Sequence, residues 1–528
     1  MRQLSGHDAS FLYSDTANAN SNATFVQIYD QSTAPGGKMR FKTILAHIES
    51  RLHRSPVFRR RLKRVPLELD YPYWVDDEHF DLEYHVRHIA LPAPGDWRQF
   101  CIQASRIHAR ALDLNRPLWE IYVIEGLDAF DDLPKGSFAL LTKIHHAAID
   151  VERHHEIIDV LHDTTRRPPR AEPPSPWFPE RAPGALALMT RGAVHSLLPP
   201  RKLMAPLVRL APAAMAFARD LLATDGHTTT RFNSVVSPHR VFDTRRFLVG
   251  EFKRICALVP GATLNDAVLA VCAGGLQRYL DEHGELPGAE LTALAPAPGC
   301  EVGAPAARHG SAAWLPMHLG THLADPVQRL AHIQAQNAAA LAAAPPGSVA
   351  PADADNSTPA ATLAVVRRLF GRSSLAGSQG QHPASCTLTH VPGPRQPLFL
   401  SGARLTYFSA ILPIADGMGL VFAVTQYDGR VVVSPTSCRE LMPDPQAFTQ
   451  CVRNSFQELL ALADAASAQR AAMPRPAPRP SPRTAVRSAA PRASAAGTRA
   501  PRPPKAQRAA TAPRAATAAQ PLSTTPPR

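Results

Sequence analysis

Between Lys143 and Val160 the chain reads KIHHAAIDVERHHEIIDV. Two adjacent histidines precede an aspartate twice in this stretch: His145-His146 before Asp150, and His154-His155 before Asp159. Neutral imidazole can take a proton from an alcohol near pH 7. A nearby aspartate can orient the ring, or bind an arginine that fixes the loop. His146, Asp150 and His154 also stand at i, i+4 and i+8, a spacing a metal could use, but the zincin pattern is missing and no metal is expected. The chain holds 22 histidines, so a histidine alone carries no signal and position must separate the two pairs.

PLWEIYVIEGL (117–127) and FALLTKI (138–144) are apolar runs of strand length joined by the polar, turn-rich DAFDDLPKGS. This pattern predicts an antiparallel hairpin. His145-His146 then ends the second strand, where one side chain can project into a cleft while its neighbour is held by backbone. His154-His155 falls in a following helix, where Val151, Ile158 and Leu161 recur on one stripe. The second pair reads as helix surface.

Around these elements the chain divides into four regions. Residues 1–162 read as mixed α and β, with FKTILAHIESRL (41–52) at helical spacing. Residues 163–229 begin with a proline cluster that reads as a linker, followed by an amphipathic helical stretch over 185–223. Residues 230–466 form a second mixed region. It holds a helix over 264–284 with Asn265 placed as its cap, and strands in RLTYFSAILPIA and GLVFAVTQYDGRVVVSPT joined through an Asp-Gly turn. Residues 341–362 read as a loose insertion. Residues 467–528 are rich in Ala, Pro, Arg, Ser and Thr, lack the apolar content to pack, and are expected to be disordered.

That tail carries twelve Lys/Arg and no Asp/Glu, against a formal charge of +13 for the chain, which leaves +1 for residues 1–466. The basic character therefore says little about the folded part. The tail is a solubilising extension, or it is drawn to an anionic membrane surface. Nucleic-acid binding is not expected, because the core offers no basic aromatic platform. Seven scattered cysteines without a C-x-x-C pair indicate neither a disulfide framework nor a zinc site, and fit a reducing cytosol. No export signal stands at the N-terminus and no run reaches about 18 apolar residues. The most apolar candidate, 203–222, is interrupted by Arg209, Arg219 and Asp220, so a chain working at a membrane would lie on it.

KIHHAAID resembles the HHxxxDG motif of the coenzyme-A-dependent acyltransferase superfamily, which includes chloramphenicol acetyltransferase and peptide-synthetase condensation domains. Further motifs narrow the resemblance to the bacterial wax ester synthase/diacylglycerol acyltransferases. They are MRQLSGHDASFLYSD, the PLW motif at Pro117, Leu118 and Trp119, the ND motif at Asn265 and Asp266, HVPGPRQPLFLSGARL, and YDGRVVVSPTSCRELMPDPQAF. In order, they cover about residues 1–465. The match departs at Val151, where the family has glycine, at Thr389-His390, where it has Ser-Asn before VPGP, and around His309-Gly310.

The resemblance implies an α+β fold of two chloramphenicol-acetyltransferase-like half-domains with a central substrate tunnel. It implies acyl-CoA as co-substrate without a further cofactor, and a diacylglycerol or long-chain alcohol as acceptor. The site residues it implies are His146 as general base, His145 and Asp150 supporting the turn, and Trp119, Pro117, Leu118, Asn265 and Asp266 around the substrates. From the residues themselves, Asn265 and Asp266 also read as helix capping, and Pro117, Leu118 and Trp119 as packing at a strand start. Cysteine usage and the absence of an export signal point to the cytosol, and the expected site of action is in peripheral contact with the inner membrane or lipid inclusions, where such lipids arise. Two other readings stay open on sequence: the same chemistry on a polyketide or peptidyl acceptor, and a lipid-body or membrane-surface protein with a degraded site.

Overall fold

The apolar runs on either side of residues 128–136 form the expected hairpin. Trp119–Leu127 and Ser137–His145 pair antiparallel, with Trp119 opposite Ile144 and Leu127 opposite Ser137. The computed structural model describes residues 1–130, 133–149, 156–167, 177–197, 228–296, 314–343 and 384–472. Ser137–His145 is buried at every position. It lies between Trp119–Leu127 and Asn22–Asp30, and both faces are covered, so its apolar run Phe138–Leu141 does not alternate with polar residues.

A six-stranded sheet surrounds this strand. Its order is Phe399–Leu400, Ala403–Ile411, Asn22–Asp30, Ser137–His145, Trp119–Leu127 and Val86–Ala90. The first two strands come from the far end of the sequence. Ala403–Ile411 pairs with Asn22–Asp30, with Ser409 opposite Val26 and Ile411 opposite Thr24, and so covers what would be an exposed sheet edge. One face of the sheet carries Phe25, Tyr29, Phe138, Leu140 and Ile144 into the main core. The other carries Val26, Ile28, Ala139 and Leu141 against Phe100, Ala104 and Ile107 of the helix Trp97–Ala109.

A seven-stranded sheet holds most strands of the second half. Cys386–Val391 runs parallel to both Thr292–Pro296 and Val421–Tyr427, and Val421–Tyr427 pairs antiparallel with Arg430–Cys438. The Asp-Gly turn stands where expected. Asp428 and Gly429 both have positive φ, 48° and 73°, as a two-residue hairpin loop of the inverted type demands. A third, three-stranded sheet joins Arg2–Gln3, Tyr73–Asp76 and Arg60–Lys63. The mixed α and β expectation holds.

Several boundaries differ from the sequence reading. The helix Leu264–Glu282 is capped by Thr263, not by Asn265. Thr263 has extended backbone (φ −94°, ψ 168°) and accepts from Asp266 N–H, while Asn265 is already inside the first turn. The helix Pro326–Ala343 takes in the start of the expected loose insertion. Its remainder, 344–362, lies outside the described residues. The helix Pro445–Ala472 continues into the expected tail, because ALADAASAQRAA is rich in strong helix formers. Met1–Ala472 forms one compact unit. Residues 473–528 lie outside the described residues, as does the whole of the 203–222 candidate, within 198–227. Ala185–Leu197 is helical as expected. Among the described residues no helix is long and apolar enough to cross a membrane.

Candidate active site

At the exit of Ser137–His145 the backbone is gripped from both sides. His145 N–H donates to Leu118 C=O at 3.0 Å, and His146 N–H donates to Ser21 C=O at 2.8 Å. A single 3-10 turn, His146–Ala148, follows. The two histidines therefore leave the sheet in fixed and opposite environments.

His145 is buried, and both ring nitrogens are engaged. Ala147 N–H donates to its Nδ1 at 3.1 Å, and its Nε2 lies 2.9 Å from Asp15 Oδ2. Because Nδ1 accepts, the ring proton sits on Nε2 and is donated to the carboxylate. The other oxygen of Asp15 accepts Ser21 N–H at 2.7 Å. One carboxylate thus ties the histidine turn to the loop leading into Asn22–Asp30.

His146 is partly exposed, and its ring packs on Phe11 with centroids 5.2 Å apart. Its Nδ1 lies 3.1 Å from Ser21 C=O, which can only accept. Nδ1 therefore carries the proton, and Nε2 carries the lone pair that a general base needs. Ser21 C=O holds both the backbone and the side chain of His146. Asp15 closes the N-terminal motif MRQLSGHDASFLYSD, but nothing local in the sequence ties it or Ser21 to the histidines. Asp15 and Ser21 lie in a polar segment, DTANANS, whose distance from the histidines along the chain exceeds 120 residues.

Behind the turn sits a buried polar layer. Lys143, two residues before His145, is fully buried, and burial lowers its pKa to about 8. Its ammonium donates to Ile107 C=O at 3.0 Å and to Arg110 C=O, and lies 3.9 Å from Glu120. These are the last carbonyls of the helix Trp97–Ala109, which a cation suits. Asn20 and Asn22 donate to Ala109 and Arg110 C=O at the same end. The buried ring of His108 is hydrogen bonded to Thr24 at 2.9 Å. Burial first, then Arg240, Lys143 and His146, hold its pKa well below the usual value.

The remaining expected site residues are placed unevenly. Asp150, Val151, His154-His155 and His309-Gly310 lie outside the described residues. Leu118 joins the turn through its carbonyl, but its side chain packs with Leu4, Ala9, Leu12 and Tyr13. Pro117 is buried and bridges to Arg61. Trp119 is buried, donates Nε1–H to Phe58 C=O at 3.1 Å, and stacks on His85 at 4.5 Å. Strand-start packing, the reading the residues themselves gave, engages the side chains of all three. Asp266 is buried and accepts from Thr263 N–H at 2.8 Å, from Thr263 Oγ1 at 2.9 Å and from Asn337. It is a capping residue. Asn265 faces His390 instead.

Comparison with known proteins gives one consistent picture. The wax ester synthase/diacylglycerol acyltransferase catalytic domain matches residues 4–268, and the C-terminal domain of the same family matches residues 311–460. A chain of Mycobacterium tuberculosis strain CDC 1551, provisionally assigned as a diacylglycerol O-acyltransferase, is 31% identical over 484 residues, covering 88% of this chain and 91% of the relative. A second chain from the same strain, with the same assignment, is 31% identical over 488 residues, covering 88% and 98%. Among solved structures, the wax ester synthase/diacylglycerol acyltransferase of Marinobacter aquaeolei VT8 aligns with a TM-score of 0.63 at 23% identity, over 88% of this chain and all of that one. At that identity the likeness is one of fold.

Proposed function

This chain belongs to the wax ester synthase/diacylglycerol acyltransferase family and is an acyl-CoA-dependent O-acyltransferase, and we propose that His146 is its general base. The observation that carries the proposal is the Ser21 carbonyl on Nδ1, which leaves the basic lone pair on Nε2.

In this reading the acceptor is a long-chain alcohol or diacylglycerol. Its hydroxyl proton passes to His146 Nε2 as the oxygen attacks the thioester carbonyl. Ser21 C=O steadies the imidazolium through Nδ1–H. The tetrahedral intermediate collapses, the C–S bond breaks, and the imidazolium returns its proton to the coenzyme A thiolate. A positioned base contributes about 10²–10⁴-fold, and the rest comes from orientation and from stabilising the oxyanion. His145 and Asp15 hold the turn. Acyl-CoA is consumed as a substrate, and the steps as written call for no other cofactor or metal.

We assign the protein to the cytoplasmic side of the inner membrane or the surface of lipid inclusions. Lipid acceptors reside there, and the basic segment 467–528 suits an anionic surface. The test is thiol release from palmitoyl-CoA with hexadecanol or a diacylglycerol as acceptor. Release should require the lipid alcohol and fall at least about 100-fold in His146→Ala. Undiminished release by a folded His146→Ala chain removes His146 from the base role.

A further inference from the structure

The family resemblance breaks at Thr389-His390, and the structure gives the second of these residues a specific partner. His390 lies on Cys386–Val391, opposite Val424 of the parallel strand Val421–Tyr427. It shares a strand face with Leu388, which is buried in the main core. Its Nε2 meets Asn265 Oδ1, in the first turn of Leu264–Glu282. The one departure from the family pattern before VPGP therefore contacts the asparagine of the ND motif. Asn265 Oδ1 only accepts, so the ring proton is on Nε2 and Nδ1 is a bare acceptor.

That acceptor is unmatched. The residue is partly exposed, but Nδ1 itself is enclosed and has no hydrogen-bond partner among the described residues. Burial lowers the ring pKa to about 4, so Nδ1 keeps its lone pair at neutral pH. A buried acceptor left alone is costly, and such groups in native proteins meet a ligand or water. Leu264 and Val391, the chain neighbours of the pair, are partly buried against the same core that Ala148 and Ile149, just after His146, pack against.

We propose that His390 is a substrate-contacting residue whose Nδ1 accepts a hydrogen bond from an N–H or O–H of the bound substrate, while its Nε2–H orients the Asn265 amide. This rests on the acyltransferase reading. Two sources supply such a donor: an amide N–H of the pantetheine arm of acyl-CoA, or a second hydroxyl on the acceptor lipid. Asparagine at this position also offers one donor and one acceptor, so His390→Asn should preserve the interaction and His390→Leu should abolish it.

The experiment is steady-state thiol release by the full chain and both variants, with palmitoyl-CoA and either hexadecanol or 1,2-hexadecanediol. His390→Leu should raise KM for palmitoyl-CoA about tenfold with kcat retained if the donor is the pantetheine arm. If the donor is the acceptor's second hydroxyl, it should instead lower the diol-to-hexadecanol ratio of kcat/KM about tenfold. His390→Asn should stay within about threefold of wild type in both. The inference is overturned if a His390→Leu chain with wild-type unfolding temperature shows neither change, or if His390→Asn behaves as His390→Leu. A wild-type chain that releases no thiol removes the acyltransferase reading and this inference together; wild-type turnover with an unaltered His390→Leu removes this inference alone.

Discussion

Asp15 and His145 stand 130 residues apart in sequence, yet Asp15 Oδ2 lies 2.9 Å from His145 Nε2. Through its second oxygen the same carboxylate holds Ser21 N–H, and Ser21 C=O in turn holds His146. The proposed base is thus set by a chain of contacts that begins at Asp15, a residue outside the histidine motif.

Asp15→Ala leaves two donors without acceptors, Ser21 N–H and His145 Nε2–H. It should destabilise the protein by about 1–3 kcal/mol and lower kcat about 10–100-fold as His146 loses its geometry. Thermal unfolding and thiol release measure the two effects. Wild-type kcat in a folded Asp15→Ala chain would refute the link.

The two adjacent histidines should separate by phenotype. His146→Ala removes a partly exposed ring and should lower kcat about 10²–10⁴-fold with little change in unfolding temperature. His145→Ala breaks two hydrogen bonds of a buried ring and should lower both stability and rate. Equal stability for the two variants contradicts these roles.

Lys143→Met should cost about 2–4 kcal/mol in denaturant unfolding, because Ile107 and Arg110 lose their donor and Glu120 loses a cation. Full stability would show that Asn20 and Asn22 alone satisfy that helix end.

Acid should destabilise the fold through its buried histidines. His162 lies between Tyr29 Oη, at 2.5 Å, and Ile158 C=O, and burial lowers its pKa to about 4. Its folded pKa is below the ordinary 6.5, so the unfolded chain binds the extra proton between pH 6.5 and 4. The stability this neutral ring supports is complete above about pH 6.5 and is lost as pH falls toward 4. Between pH 7 and 5 the loss is about 2 kcal/mol. His162→Gln, which can donate and accept at the same places, should flatten the pH dependence of unfolding by one proton. An unchanged slope rules out His162 as the source.

Thr263→Ala should destabilise the protein by about 1 kcal/mol with kcat unaltered, since it removes the cap of Leu264–Glu282. Wild-type stability in Thr263→Ala would remove Thr263 as the cap.

Much of the fold was legible because its signals are local. The runs 117–127 and 138–144 are long, apolar and separated by turn residues, and they make a hairpin whatever else surrounds them. Asp428-Gly429 offers the backbone its left-handed turn. The ordered motifs point to the family by residue type and order alone. The cap of Leu264–Glu282 was harder, because Thr263 and Asn265 are both capping residue types two positions apart. Only the extended backbone of Thr263 chooses between them.

By itself, then, the sequence determined the elements, the family and the histidine pair, all of which follow from residue type and short spacing. Tertiary structure decided which residues hold that pair. Asp15 and Ser21 reach it only because Asn22–Asp30 lies against Ser137–His145, with Asn22 opposite His145. Tertiary packing likewise turned Trp119 into core and joined His390 to Asn265. A hydrogen bond across a strand pairing depends on register between distant segments, and register is fixed when the sheets pack, not by any local pattern.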